Sequence, residues 1–97
     1  MALNTIPYDI ANYLDSEAAI QEYFSQVLED GDSAEIVRAL GHIARARGMA
    51  DLAEKSGLGR ESLYKALSAN AKPRFDTILK VTRALGLPLT VASTPHG

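Results

Sequence analysis

The chain has 97 residues, 46% of them apolar and 23% charged, a balance that belongs to one folded domain and excludes both a disordered tail and two ordinary domains. It contains no cysteine, which excludes a disulfide framework and a thiolate metal site. Its net charge of −2 argues against a nucleic-acid partner only until it is divided along the chain.

Residues 1–35 hold eight acids (Asp9, Asp15, Glu17, Glu22, Glu29, Asp30, Asp32 and Glu35) and no Lys or Arg. Residues 36–97 hold all ten basic residues against four acids, Asp51, Glu54, Glu61 and Asp76. Such a split directs the basic part towards nucleic acid. Incidental clustering on solvated faces competes with that reading, and charge alone does not choose between them. No apolar run approaches the ~20 residues that span a membrane. The N-terminus lacks the basic-then-apolar order of a secretory signal. The expectation is a cytoplasmic protein with no membrane partner. A chain this short buries roughly 60–65% of its unfolded surface, so dimerisation would help it.

In chain order, residues 1–7 show no periodicity and read as a lead-in. Residues 8–14 read as one or two helical turns, with Tyr8, Ile10, Tyr13 and Leu14 as apolar contacts. Ser16 followed by Glu17 is an N-cap signal. It opens a helix whose stripe Ile20, Tyr23, Phe24, Val27 and Leu28 follows the 3.6-residue period and ends near Gly31. Asp32 or Ser33 caps a further helix with Ile36, Val37, Leu40, Ile43 and Ala44 inward, closed by Gly48. The elements then shorten. Residues 49–55 form a two-turn helix burying Leu52 and Ala53, and residues 56–59 form a tight turn. Residues 60–69 form a helix burying Leu63 and Leu67, followed by a polar loop to Arg74. Residues 75–85 form the last helix, with Phe75, Ile78, Leu79, Thr82 and Leu85 inward and Gly86 closing it. Leu87, Leu89 and Val91 alternate with other residues, which predicts a short strand over 87–93. An unpaired strand edge seeks another chain, so this strand is the expected dimer contact, with packing over the last helix as its alternative.

The segment MADLAEKSGLGRESLYKALS, residues 49–68, has the helix-turn-helix pattern. Ala53 is small where the second helix crosses close above it. Gly57 stands where the turn needs a positive φ. Leu58 fills the angle between the helices, and Leu63 holds the second helix onto the first. This arrangement pushes one helix outward far enough to enter a major groove about 12 Å wide.

Together with PRFDTILKVTRALGL downstream, the basic part resembles the lambda-repressor-like (XRE-type) superfamily, all-α, with five helices around a small core. From about Tyr8 to Val91 the chain is similar to one branch of it, the addiction-module antidote proteins, which are antitoxins of bacterial toxin–antitoxin pairs. The phrases that carry this are YDIANYLDSEAAIQEYF, ALGHIARARGMADLAEKSGLGRESLYKALS and FDTILKVTRALGL. The resemblance implies a bacterial homodimer that neutralises a small toxin, typically a ribonuclease, and represses their shared operon at an inverted-repeat DNA site. It implies no cofactor and no small-molecule substrate. Residues 1–31 are then an acidic helical extension on the same core, residues 32–92 the DNA-binding domain, and residues 93–97 a frayed tail. The competing readings are a stand-alone XRE-type regulator without a toxin, and an interaction module that has lost DNA binding.

Within the second helix of the motif the outward residues are Arg60, Glu61, Ser62, Tyr64, Lys65 and Ser68. Arg60 is suited to a guanine edge, and Lys65 to a phosphate. Ser62 suits either a base or a phosphate. Glu61 either accepts from a cytosine amine or favours the helix N-terminus by its charge. Tyr64 either reaches DNA or packs its ring on a neighbouring helix. Arg45, Arg47, Lys55, Lys72 and Arg74 flank the motif as backbone contacts or as plain solvated residues, and Lys80 and Arg83 read as surface. Asp15, Glu17, Glu22, Glu29 and Asp30 are the leading candidates to meet a basic toxin, with solubility as their alternative role. His42 and His96 lie far apart with no ligand spacing, and no Gly-rich phosphate loop is present, so neither a metal site nor an enzyme is expected.

Overall fold

The computed structural model describes residues 16–87 and 89–91, and the expected turns at 8–14, the residues before Ser16 (Asp15 among them) and the tail from 92 lie outside them. The described part is all-helical, with α1 (Glu17–Asp30), α2 (Ser33–Arg47), α3 (Met49–Ser56), α4 (Arg60–Ala66) and α5 (Phe75–Ala84).

The boundaries follow from local chemistry. Ser16 Oγ accepts from the Ala19 amide at 3.1 Å, and Asp32 Oδ1 accepts from the Ala34 amide at 3.2 Å. Each satisfies an amide that the first turn leaves open, worth about 1 kcal/mol. At the other end of α1 the Gly31 amide donates to the Val27 carbonyl. α5 closes in a Schellman pattern: the Leu87 amide donates to the Thr82 carbonyl at 2.7 Å and the Gly86 amide to the Arg83 carbonyl at 3.1 Å.

α1 packs on α2, α2 on α3, and α3 on both α4 and α5. One core runs through all five helices. Leu40, Ile43, Leu63, Val81 and Thr82 are sealed from solvent at its centre. Ile20 and Phe24 bring α1 into it, and Ala39, Ala44, Met49, Leu52, Leu67 and Leu87 complete it. Thr82 is buried without cost in lost hydrogen bonds, because its hydroxyl donates to the Leu79 carbonyl at 3.1 Å. Tyr23, Val27, Ile36, Ala53, Leu58, Ile78 and Leu85 pack half-buried against this core.

Four expectations are corrected. Leu28, placed inward by its period, is 39% exposed. Phe75 is 66% exposed, because it is the first residue of α5 and overhangs the core; half-burial begins at Thr77 and full burial at Val81. The helix expected to reach residue 69 stops at Ala66. There the Ser68 hydroxyl donates back to the Lys65 carbonyl at 2.9 Å, and Asn70 turns the chain with φ 66°, a conformation that Asn tolerates better than most residues. Finally, no strand is present at residues 87 or 89–91. The apolar alternation arises from one buried residue, Leu87, and two exposed ones, Leu89 and Val91, with no neighbouring strand among the described residues to pair with.

His42 lies half-buried on α2. Burial holds its pKa below the usual imidazole value, and the nearby Arg45 and Arg38 guanidinium groups add to this. The unfolded chain, with a histidine pKa of about 6.5, therefore takes up this proton before the folded one does, and stability drops as pH falls below that value. Urea midpoints at pH 7.5 and 5.5 should show a larger loss for the native protein than for His42→Gln. Equal losses would show that His42 carries none of the effect.

Candidate nucleic-acid interface

α3, the turn at residues 57–59 and α4 form the helix-turn-helix. Gly57 adopts φ 78° and ends α3, its amide donating to the Ala53 carbonyl at 3.1 Å. A side chain here would be strained by the backbone alone, although a Cβ would meet open space. Ser56 Oγ then accepts from the Leu58 amide at 3.2 Å and donates to the Ala53 carbonyl, which fixes the exit from the turn. Leu58 packs half-buried against the core.

α4 is seven residues long and is fastened by Leu63 and, one turn later, Leu67, which are 0% and 4% exposed. The opposite side of α4 is solvated. Arg60, Glu61, Ser62, Tyr64, Lys65 and Ser68 are all exposed. Tyr64 is 46% exposed, so its ring is not absorbed by a neighbouring helix. Ser68 lies just past the end of α4, but the backbone turn keeps it beside Lys65.

Beside α4 the following turn forms a shallow groove lined by Ser62, Lys65, Ser68, Asn70 and Lys72. It joins two ammonium groups to the Ser62 hydroxyl and the Asn70 amide, a donor set suited to phosphate oxygens, while the Ser68 hydroxyl donates to the Lys65 carbonyl. Sequence reading identified Lys65 and Lys72 separately but missed Asn70 and the groove. The signal was present: an Asn that tolerates a left-handed conformation, set between Ser68 and Lys72.

The flanking cations divide. Lys55 Nζ pairs with Asp51 at 3.2 Å, Arg74 Nε with Asp76 at 3.5 Å, and Arg47 Nη2 with Glu17 at 3.2 Å. Arg60, Lys65 and Lys72 form no ion pair with any described residue. The paired cations are exposed, and such pairs are worth under about 1 kcal/mol, so DNA phosphates can compete for them. The Arg47–Glu17 pair joins residues 30 apart and ties the first turn of α1 to the last turn of α2, directly before the helix-turn-helix. Glu22, Glu29 and Asp30 of α1 are exposed. Among the described residues no three His, Asp or Glu side chains are gathered as a metal site. No helix among them is long and apolar enough to cross a membrane.

Residues 4–93 match the model of a protein family described as "Probable addiction module antidote protein". A protein of Haemophilus influenzae (strain ATCC 51907 / DSM 11121 / KW20 / Rd), described only as an uncharacterized protein, is 45% identical over 84 residues, which is 87% of this chain and 87% of that one. No solved structure matches the chain.

Proposed function

We propose, from the premise that this chain belongs to the family of probable addiction module antidote proteins, that it is an antitoxin which also represses its own operon. Family membership supports the antitoxin role and implies a cognate toxin as partner. The DNA-binding half of the reading belongs to a lambda-repressor-like (XRE-type) domain acting as a homodimer in the bacterial cytoplasm, with no catalytic step. The observation that carries it is α4: a short helix anchored by Leu63 on one side and lined on the other by solvated Arg60, Tyr64 and Lys65.

In this reading α4 enters the major groove and Arg60 reads a guanine edge. Glu61, Ser62, Tyr64 and Ser68 meet neighbouring bases or the backbone. Lys65, Lys72 and Asn70 hold a phosphate in the groove beside α4, and Arg47, Lys55 and Arg74 exchange their carboxylate partners for further phosphates. The two half-sites of the operator lie about one helical turn, ~34 Å, apart. Glu22, Glu29 and Asp30, together with Glu17 and Asp15, are the proposed contacts of the toxin, a small basic protein of the ribonuclease class.

A mobility-shift series on the promoter of the chain's own operon tests this. With roughly six phosphates neutralised by the dimer, log affinity should fall against log salt with a slope near −5. Arg60→Ala should lose mainly discrimination between operator and scrambled DNA, by about 1–3 kcal/mol, whereas Lys72→Ala should weaken both alike. Equal binding of the native protein to both DNAs at every salt concentration would remove the repressor role.

A further inference from the structure

At the edge of α1's buried stripe, a second groove runs between α1 and the segment that follows α5. Phe24 and Leu28 form one wall and Leu87 and Leu89 the other, with Gln21 and Ser25 at the polar edge. It holds about 250 Å³, less than the 300–1,000 Å³ of small-molecule sites, and is open to solvent. Leu28 and Leu89 are 39% and 36% exposed at its mouth, and Val91, just beyond, is 96% exposed. Leu28 and Leu89 line the same groove, so their exposed surfaces adjoin rather than scatter singly.

The charge around the groove says what it binds. α1 carries Glu17, Glu22, Glu29 and Asp30 and no basic residue. The groove positions 21, 24, 25 and 28 share one helical face, and Glu22 and Glu29 stand one step further round the helix from Gln21 and Leu28. By helical position they stand along the outer edge of the apolar floor, Glu22 with its Oε2 accepting from Gln26 Nε2 at 3.1 Å. A second copy of this chain docked groove to groove would bring the same carboxylates to the contact, and like charges facing each other oppose association. The fitting occupant is a segment that presents an apolar side chain flanked by Lys or Arg.

We propose that this groove is the docking site for the cognate toxin, which inserts an apolar side chain between Leu28 and Leu89 while flanking basic residues meet Glu22 and Glu29. This rests on the antitoxin reading above and locates the toxin on the groove beside α1 rather than on its acidic residues alone. The apolar floor supplies affinity, and the carboxylates along its edge supply rate and selectivity.

The test uses the full chain and, as probe, the purified protein encoded by the gene adjacent to its own. Leu28 and Leu89 are exposed, so the double variant Leu28→Ala/Leu89→Ala should keep its circular dichroism, thermal midpoint and DNA binding. Its affinity for the probe should fall at least tenfold by calorimetry, mostly through faster dissociation. Glu22→Lys/Glu29→Lys should instead slow association, and the effect should shrink at high salt. An unchanged affinity in the leucine variant overturns the groove as the docking site and leaves the antitoxin reading standing. No binding of the probe by the native chain overturns that reading as well. A leucine variant that loses its dimer by ultracentrifugation assigns the groove to a second copy. One that loses thermal stability at unchanged probe affinity assigns it to another part of this same chain. Both of these results overturn the proposal.

Discussion

Replacing Leu63 by alanine should lower the stability of the protein by about 2–5 kcal/mol. Leu63 is the side chain on which α4 is seated. It is fully buried, and it belongs to the same core as Leu40, Ile43 and Val81. α4 itself has seven residues, far below the ~12–15 at which an isolated helix becomes even marginal in water. Its structure therefore comes from this anchorage and from Leu67, not from propensity. Truncation leaves a cavity at the centre of the core and removes dispersion contacts on every side. In a domain whose total stability is about 5–15 kcal/mol, the loss is a large share of the whole. At about 4–8 °C per kcal/mol for a chain of this size, thermal unfolding by circular dichroism should shift downward by roughly 8–40 °C. On the proposed reading, DNA affinity should fall with it, and toxin binding at the groove beside α1, built on other residues, should persist at temperatures where the variant is still folded. A midpoint within a few degrees of the native one would mean that α4 is held by something other than Leu63.

Gly41 should accept alanine and reject leucine. It lies buried in the middle of α2, where the helix passes close to the end of α4. A Cβ built at Gly41 stands 3.1 Å from Arg45 Nη1 and 3.2 Å from the Leu67 carbonyl oxygen. The first neighbour is the tip of a flexible side chain and can move aside. The second is backbone and must yield by a few tenths of an ångström. Against this, alanine in a helix interior gains about 1 kcal/mol over glycine. The two effects nearly cancel, so Gly41→Ala should unfold within about 1 kcal/mol of the native protein. Gly41→Leu adds a branched group where there is no room and should cost about 1–3 kcal/mol, as overpacking does. Because Leu67 caps α4, the displacement should also tilt Tyr64 and Lys65, and the proposed DNA binding should weaken more than stability alone requires. Equal stability of the leucine and alanine variants in urea would show that the helices separate freely at this point.

How much of this was legible in the sequence depends on the range over which each feature is decided. The span of α1 follows from residues within a few positions of each other: Ser16 offers its hydroxyl to its own helix, and Ile20, Phe24 and Val27 recur at the helical period. The turn at Gly57 is legible for the same reason, since a positive φ is a demand that a single residue answers. The exposed face of α4 follows from the period as well, once Leu63 and Leu67 are taken as inward, and this is why Arg60, Tyr64 and Lys65 were identified without coordinates.

The tertiary structure alone decided the rest. Leu28 obeys the same period as Phe24, yet nothing packs over it fully; α2 covers the stripe only as far as its own course allows, and periodicity does not carry where a neighbour ends. Phe75 reads as a core residue by type and spacing, but its place at the first position of α5 puts it past the core edge. The alternation of Leu87, Leu89 and Val91 looks like a strand because strand spacing is a local pattern, whereas a strand exists only if another lies beside it to accept its hydrogen bonds. Gly41 against Leu67, Glu17 against Arg47, and α1 against Leu89 are pairings of residues 26, 30 and about 60 positions apart. Which residues meet across such separations is set by how the helices cross, so the sequence by itself determined the helices, their caps and the face α4 presents, while packing decided the close approach, the ion pair and the groove.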